Sequence, residues 1–468
     1  MKSAALFLLF FSLSCLAKPP LPTPLETPVI GEWDQYFLDR LYPAQEKDLA
    51  LAAIVEEERF RHLVAKHELK LLGGPLVGCL SATGASIWVR TPGPAKVQVI
   101  AGDHRSEIRE TGPAGDFATI LSLEGLQPFQ RYSYDVLVEG ESVFGSDLPS
   151  FRTYPEAGSR ERYALGFGGC ARYNPPKEKM WSLIADHELA AFLLLGDNVY
   201  IDQPHSRTKQ RVHYYRRQLS PDFSRFTRST GVYAIYDDHD LGKDDSVGGP
   251  EKFTPAWKWK AWQVFRENWN NPAYGGGEKL PGCWFNFSLG KVEVFMLDNR
   301  YYRDFENGTM LGPEQKQWLL RELKESTATF KILASGTLWT EHADKGGRDS
   351  WWGVPEEREE IFRFLEDEKI GGVILLSSDR HRSDVYRIER PESYDLYEFE
   401  SGKITNEHTH DRNEKALFSY NEGNFFGKLN FDFEKEDPEV TFQIVTLEDK
   451  VAYEMTLRAS ELQAGRQR

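Results

Sequence analysis

Positive charge is in short supply in this chain: 57 lysines and arginines stand against 72 aspartates and glutamates, a formal net charge of −15. A surface of that sign repels polyanions, which argues against a nucleic-acid or anionic-membrane face as the main partner. Any anion the protein handles must then be met by metals or by a few placed arginines. Cysteine is scarcer still, with four in 468 residues. Long apolar runs are missing as well. The run Ala4 to Leu13 is too short to span a bilayer stably and is succeeded by the small residues of Ser14-Cys15-Leu16-Ala17, which is the pattern of a signal peptide over 1–17 cut near Ala17. This predicts export to a secreted or periplasmic location, with no transmembrane segment left after cleavage. A lipid anchor on Cys15 is the alternative, but Ser12-Leu13-Ser14 makes a poor lipobox. Cleavage leaves Cys79, Cys170 and Cys283, an odd number, so at least one thiol lacks an internal partner. A metal would give such a thiol a reason.

The length suggests two or three domains, and the texture of the sequence changes twice. Residues 18–72 read as a helical arm. Leu49, Ala52, Ala53, Phe60, Leu63 and Val64 recur at helical spacing from about Trp33 to Leu72, which predicts a packing arm clamped on a later domain. From 73 to 155 the chain runs in short alternating strands broken by Gly and Pro, the mark of a small antiparallel β-sandwich. Its stretch Leu123 to Tyr134 resembles the corner of a fibronectin type III module. After the linker Pro155 to Arg162, apolar strands alternate with helical segments, two of which open with proline at a first helical position, Pro313 to Ser326 and Pro355 to Glu368. Residues 162–450 are therefore expected to form an α/β domain.

Each apolar run in that domain ends in polar residues. "YALGF" leads to Gly168-Gly169-Cys170, "FLLL" to Gly196-Asp197-Asn198-Val199-Tyr200, and "VYAIY" to Asp237-Asp238-His239-Asp240. "VEVFML" leads to Asp298-Asn299-Arg300, "FKILA" to Ser335-Gly336, and "GGVILL" to Ser377-Ser378-Asp379-Arg380-His381. In α/β folds ligands bind beyond the carboxyl ends of strands, so six runs delivering polar groups to one edge mark a site. Aspartates brought together there repel, raising their pKa values or splaying the loops unless cations lie between them. Thiolate, phenolate and imidazole suit a transition metal, whereas carboxylates with carbonyls and water suit Ca²⁺ or Mg²⁺. Taken singly, Asp197 could cap a helix, Tyr200 could be core, Cys170 an inert thiol, His381 a structural histidine and Arg300 a surface ion-pair partner. The joint pattern carries the reading.

The combination G-G-C at Cys170, L-G-D-N-V-Y at Asp197 to Tyr200, D-D-H-D-x-G-x-D at Asp237 to Asp244, L-D-N-R at Asp298, L-G-x-x-Q-x-x-W at Leu311 to Trp318 and S-D-x-H at Asp379 resembles the alkaline phosphatase D, or PhoD-like, family of metallophosphoesterases. The resemblance implies an αββα sandwich behind the small β-sandwich, and an exported metal-dependent phosphatase or phosphodiesterase acting on phosphate esters. It implies Fe³⁺ held by Cys170, Asp197 and Tyr200, with Asp197 bridging to a Ca²⁺ pair, and calcium ligands at Asp237 and Asp379. His381 falls at the phosphate end of the site, and Arg300 matches the arginine of the family's L-D-T-R segment. Three positions depart from the pattern. Asp244 stands where the family has an Asn ligand, Asn299 where it has Thr, and Ser378 where it has Gly.

Clustered metals would neutralise the phosphoryl oxygens and lower the pKa of bound water, which is what hydrolysis near neutral pH requires. His381 would then hydrogen-bond the phosphate or leaving group, and His239 would be held by Asp237 or Asp238 as an orienting residue. Purple acid phosphatases share G-D-x-x-Y and are the enzyme alternative, but their G-N-H-[ED] and G-H-x-H strings do not occur here. A secreted binding protein with an inactive phosphatase-like domain is the alternative from another class. Retention of mutually repelling ligands argues against it.

Overall fold

The structure, a computed structural model, describes residues 31–43, 48–345, 347 and 349–464. The expected signal peptide, with Cys15, and the first part of the arm lie outside the described residues. Among the described residues the arm holds two α-helices, Gly31–Arg40 and Glu58–Lys66, with a 3₁₀ turn at Leu51–Ala53 between them. Pro43, soon after the first helix, lacks an amide N–H and cannot extend it. Phe37, Leu41, Phe60 and Leu63 bury themselves with Phe117 and with Val212 and Tyr215 of the helix Arg207–Gln218. The arm is thus fastened to both later parts of the chain.

The β region contains an antiparallel sheet of Gly73–Gly78, Gly84–Arg90 and Ala118–Glu124, and a second built around Lys96–Ala101 and Asp135–Val138. Val97, Val99 and Ala101 alternate inward from the middle strand, the period of a half-buried strand. Arg90 joins this region to the rest of the protein. Its guanidinium donates to Asp116 O at 3.0 Å, Gln218 Oε1 at 2.7 Å and Asn268 Oδ1 at 2.9 Å.

The α/β part holds two mixed sheets. In one, the strand order is 231–235, 191–195, 162–168, 425–432, 439–446 and 451–458, with the first three parallel. In the other it is 285–289, 292–296, 330–334, 373–377, 396–400, 383–388 and 418–420, with the second to fifth parallel. The sheets share a core: Phe399 stacks on Phe442 with centroids 4.3 Å apart, and Phe330 meets Phe431 at 5.7 Å. Helices Pro313–Glu325 and Pro355–Asp367 come after parallel strands and start at the prolines expected to start them. The strands 191–195, 231–235, 330–334 and 373–377 are buried at every residue, which explains their uninterrupted apolar sequences. The six polar strand ends are therefore not on one edge. Three leave each sheet, and the two carboxyl-terminal edges meet.

Candidate metal centre

The turns leaving these strands are unusually tight. Cys170, Asp197, Tyr200, Asp379 and His381 have φ of 55°, 55°, 51°, 85° and 50°, a left-handed conformation that costs a non-glycine residue about 1–3 kcal/mol and clusters where function requires it. Gly196 at φ 102° precedes Asp197, and a Cβ there would come within 2.4 Å of the Asp237 Cβ, so glycine alone lets two neighbouring strand ends close up. The sheets meet at Cys170, whose Sγ lies 3.8 Å from Asp197 Oδ2 on its own sheet and 4.0 Å from Ser378 Oγ on the other.

The segment "YDDHD" divides its residues between bracing and the cavity. It opens the short helix Asp238–Leu241, capped by Asp237. Asp240 braces the neighbouring strand end, accepting from Asn198 N at 2.9 Å and Val199 N at 3.0 Å. Asp238 is the hub. Its carboxylate, with those of Asp237 and Asp379, forms one group of donor atoms within 4.8 Å of one another, and it belongs to two further such groups, with Asp197 and His239 and with Asp244 and Asp245. His239 stacks on the Tyr200 ring at 4.5 Å, and its Nδ1 meets Asp202 Oδ1 at 2.7 Å. Its orienting partner is thus Asp202 rather than Asp237 or Asp238. Asp244 is more open, with Oδ1 3.8 Å from His239 Nε2.

Arg300 has no exposed surface and sits beneath the carboxylates. It holds Asp237 through Nε, approaches Asp238 Oδ1 at 3.7 Å and pairs with Asp349. Asp349 also takes Arg303 and Lys345, and Lys345 reaches Asp379 Oδ2 at 2.9 Å. Asp298, the remaining strand-end aspartate, does not join the cluster. Its carboxylate accepts from the backbone N–H groups of Cys283, Arg300 and Tyr301, each at 2.9 Å, and braces the turn that carries Arg300.

By themselves the central groups oppose one another. Burial, and then Asp197 and Asp379, push the Cys170 thiol far above its ordinary pKa. Burial, and after it Asp197 and Cys170, does the same to Tyr200. Burial raises Asp197 with help from Asp238 and Asp237 and against the pull of His239, and it raises Asp379 against Lys345. For Asp238 burial is outweighed by Arg300 and His239, so that carboxyl is held low. The hydroxyl of Tyr200 and Oδ2 of Asp237 are buried without a hydrogen-bond partner among the described residues. Glu400, at the end of strand Leu396–Glu400, is buried with both carboxylate oxygens in the same condition, and burial and Asp384 drive its pKa far up. A convergent set of thiol, phenol and carboxylates that cannot all ionise alone fits multivalent cations, which would supply the missing charge.

Beyond the part it offers Asp238 in orienting His239, the sequence pattern assigns no role at this site to Asp238, nor any to Asp202, Lys345, Asp349 or Glu400. The doublet at Asp237-Asp238 is a signal for the first, and a seventh parallel strand end is one for Glu400. Asp349 and Lys345 lie on a loop whose sequence shows no pattern. Among the three described cysteines none is in a disulfide. Cys79 and Cys283 lie away from the cluster, the former donating to Asn270 O at 3.4 Å.

Residues 165–463 match the PhoD-like phosphatase family, and residues 68–155 match a domain of unknown function, DUF7800. The chain belongs to the PhoD-like phosphatase family. Alkaline phosphatase D of Bacillus subtilis (strain 168) is 24% identical over 344 residues, an alignment spanning 62% of this chain and 58% of that protein's length. Among solved structures, that of PhoD superposes with a TM-score of 0.70 at 17% identity, covering 86% of this chain and 93% of its own. The purple acid phosphatase PPD1 from yellow lupin (Lupinus luteus) seeds gives 0.60 at 13% identity, covering 82% and 74%. Both likenesses concern the fold. The region of this chain that matches the PhoD-like family carries all six strand ends.

Proposed function

We propose that this protein is an exported hydrolase of phosphate esters, using Fe³⁺ and Ca²⁺ held between the two sheet edges. The observation that carries the reading is the mixed donor set: one thiol, one phenol and several carboxylates, buried together on left-handed turns with too little positive charge of their own. Cys170, Asp197 and Tyr200 would hold the iron, with Asp197 shared toward calcium. Asp237, Asp238, Asp244 and Asp379 would hold calcium. When bound, these ions neutralise the phosphoryl oxygens and make an oxygen nucleophile available near neutral pH.

The chain's own residues then have separable tasks. His381, whose pKa is pushed far down by burial and by His408 and His410, is neutral and offers a ring N–H to a phosphoryl or leaving-group oxygen. His239 keeps its orientation through Asp202 and the face of Tyr200. Arg300 is a positioning residue: sealed from solvent, it fixes Asp237 and shares Asp349 with Lys345. Lys345 restrains Asp379 from the other side. The expected export rests on the sequence pattern over 1–17, and among the described residues no helix is long and apolar enough to cross a membrane.

The test is metal analysis of protein purified without chelator, paired with assays on a phosphomonoester and a phosphodiester. Iron and calcium together, with hydrolysis abolished by a calcium chelator and restored by calcium, are expected. A preparation holding neither metal, or one fully loaded and inert on both substrates, overturns the proposal.

A further inference from the structure

Three histidines converge beside the cluster, and only one of them comes from a strand-end motif. His381 lies just beyond strand 373–377, while His408 and His410 lie on the loop between strands 396–400 and 418–420. Their ring centroids are 4.9 Å apart for His381 and His408, 5.6 Å for His381 and His410, and 4.8 Å for His408 and His410. One nitrogen from each lies within 4.8 Å of the other two. Tetrahedral coordination with metal–nitrogen bonds of about 2.0–2.1 Å places imidazole centroids about 5 Å apart. The observed triangle has that size.

The loop is tied down so that the rings meet. Between the two histidines Thr409 donates its hydroxyl to His381 O at 3.3 Å and Asn421 O at 3.2 Å. Asn421 Nδ2 donates to His410 O at 3.0 Å, and His408 N donates to Asn406 Oδ1 at 3.0 Å. His381 is only 9% exposed, and its Nδ1 has no hydrogen-bond partner among the described residues. A buried ring nitrogen left in that condition beside two more imidazoles is unusual unless something joins them.

We propose that His381, His408 and His410 form a site of their own for one divalent transition ion of borderline softness, Zn²⁺ being the best fit, with a fourth position open. Three neutral nitrogen donors suit zinc, copper or nickel and suit calcium poorly. The site is distinct from the carboxylate cluster in its ligands but sits beside it, through the residue offered to the phosphate. Given the proposed phosphate-ester hydrolysis, on which this consequence rests, zinc here takes His381 away from the phosphate and inhibits the enzyme.

The experiment is a calorimetric titration of the iron- and calcium-loaded protein with ZnCl₂, in wild type, His408→Ala and His410→Ala. His408 is exposed and His410 partly so, so neither substitution opens the core. Wild type is expected to take up one zinc with release of neither resident metal. Each variant should bind it at least about 10- to 100-fold more weakly, since even an outer partner of a metal ligand is worth that much. Co²⁺ in place of zinc should give tetrahedral visible bands in wild type only. Equal zinc stoichiometry and affinity in all three proteins, or uptake matched by loss of calcium, overturns the proposal. The hydrolysis assay without zinc separates the two ideas: an inert enzyme with an intact zinc isotherm refutes the function and spares this site. An active enzyme with identical isotherms does the reverse.

Discussion

Two parts of this molecule bury charge, and they do it differently. Where the arm and the β region meet the α/β domain, each buried acid has an arginine. Asp34 takes Arg216, Glu178 takes Arg217 at 3.1 Å, and Asp116 takes Arg90 at 3.2 Å while accepting from Tyr215 Oη at 2.6 Å and Leu51 N at 2.9 Å. At the metal centre Asp197, Asp237, Asp238, Asp379 and Glu400 are buried too, yet Arg300 and Lys345 must divide themselves among the aspartates and Asp349. Burial of charge is common to both regions. What separates them is balance; left-handed backbone occurs in both, at Asp116 and Phe117 in the first and at the strand ends in the second. A balanced network holds a fold together, whereas an unbalanced one held in place by strained backbone is complete only with something from outside.

Removing one charge from each region sets the two most sharply against each other. Asp197→Asn should lower phosphate-ester hydrolysis by three or more orders of magnitude, ~4 kcal/mol in the barrier, and deplete both metals. In chelator-treated protein the same substitution should stabilise the fold, because a carboxylate that repels its neighbours has gone. Arg216→Ala, which removes the arginine paired with the buried Asp34, should cost about 3–5 kcal/mol with or without chelator. Urea midpoints of both variants in both conditions decide the matter. If Asp197→Asn destabilises the chelated protein as Arg216→Ala does, the centre is an ordinary buried network and the contrast fails.

Much of this contrast is legible in the sequence, and the exceptions have physical causes. Glycine-flanked ends such as Gly196-Asp197 and Gly169-Cys170 are readable because parallel strands are buried on both faces and stand out as apolar runs. Glu400 escapes because its strand, "LYEFE", looks like a half-exposed one. Both of its glutamates are in fact buried, Glu398 by accepting from Trp339 N and Thr340 N at 2.9 Å each. Asp202 and Asp349 escape because they reach His239 and Arg300 through the tertiary fold, which no local period records. The division of six strand ends between two sheets is hidden for the same reason. Helical spacing finds the arm, while the proline at Pro43 that ends the first of its described helices is present in the sequence and outranks the periodicity.

A smaller effect should appear on the arm side as a dependence on pH. His213, on the helix that receives the arm, is buried with its Nε2 unpartnered among the described residues, and burial, with Arg216 second, holds its pKa at about 3, against 6.5 ordinarily. The unfolded chain therefore takes up a proton that the folded one refuses. Stability is complete above pH 6.5 and declines as pH falls toward 3. The loss attributable to this group is about 2 kcal/mol by about pH 5. His213→Phe should flatten that slope in urea titrations at about pH 5 and pH 7, and an unchanged slope would mean the imidazole is protonated in the folded protein.

The smallest effect belongs to Asp244, where the family pattern has Asn. Its carboxylate shares the Asp238 and Asp245 group, but the side chain is 44% exposed, so water and salt screen most of what its charge contributes. An exposed charge of this kind is worth about 1 kcal/mol or less. Asp244→Asn should therefore weaken calcium binding by about fivefold at low salt, with the difference shrinking as ionic strength rises, and change kcat by no more than a few-fold. Asp238→Asn, in the same group but sealed from solvent, should cost far more and show little response to salt. Calcium titrations of both variants at low and high ionic strength compare an open ligand with a buried one inside the same cluster. An Asp244→Asn protein that loses calcium altogether would place this residue among the indispensable ligands and move the boundary between the balanced and unbalanced regions outward to the surface.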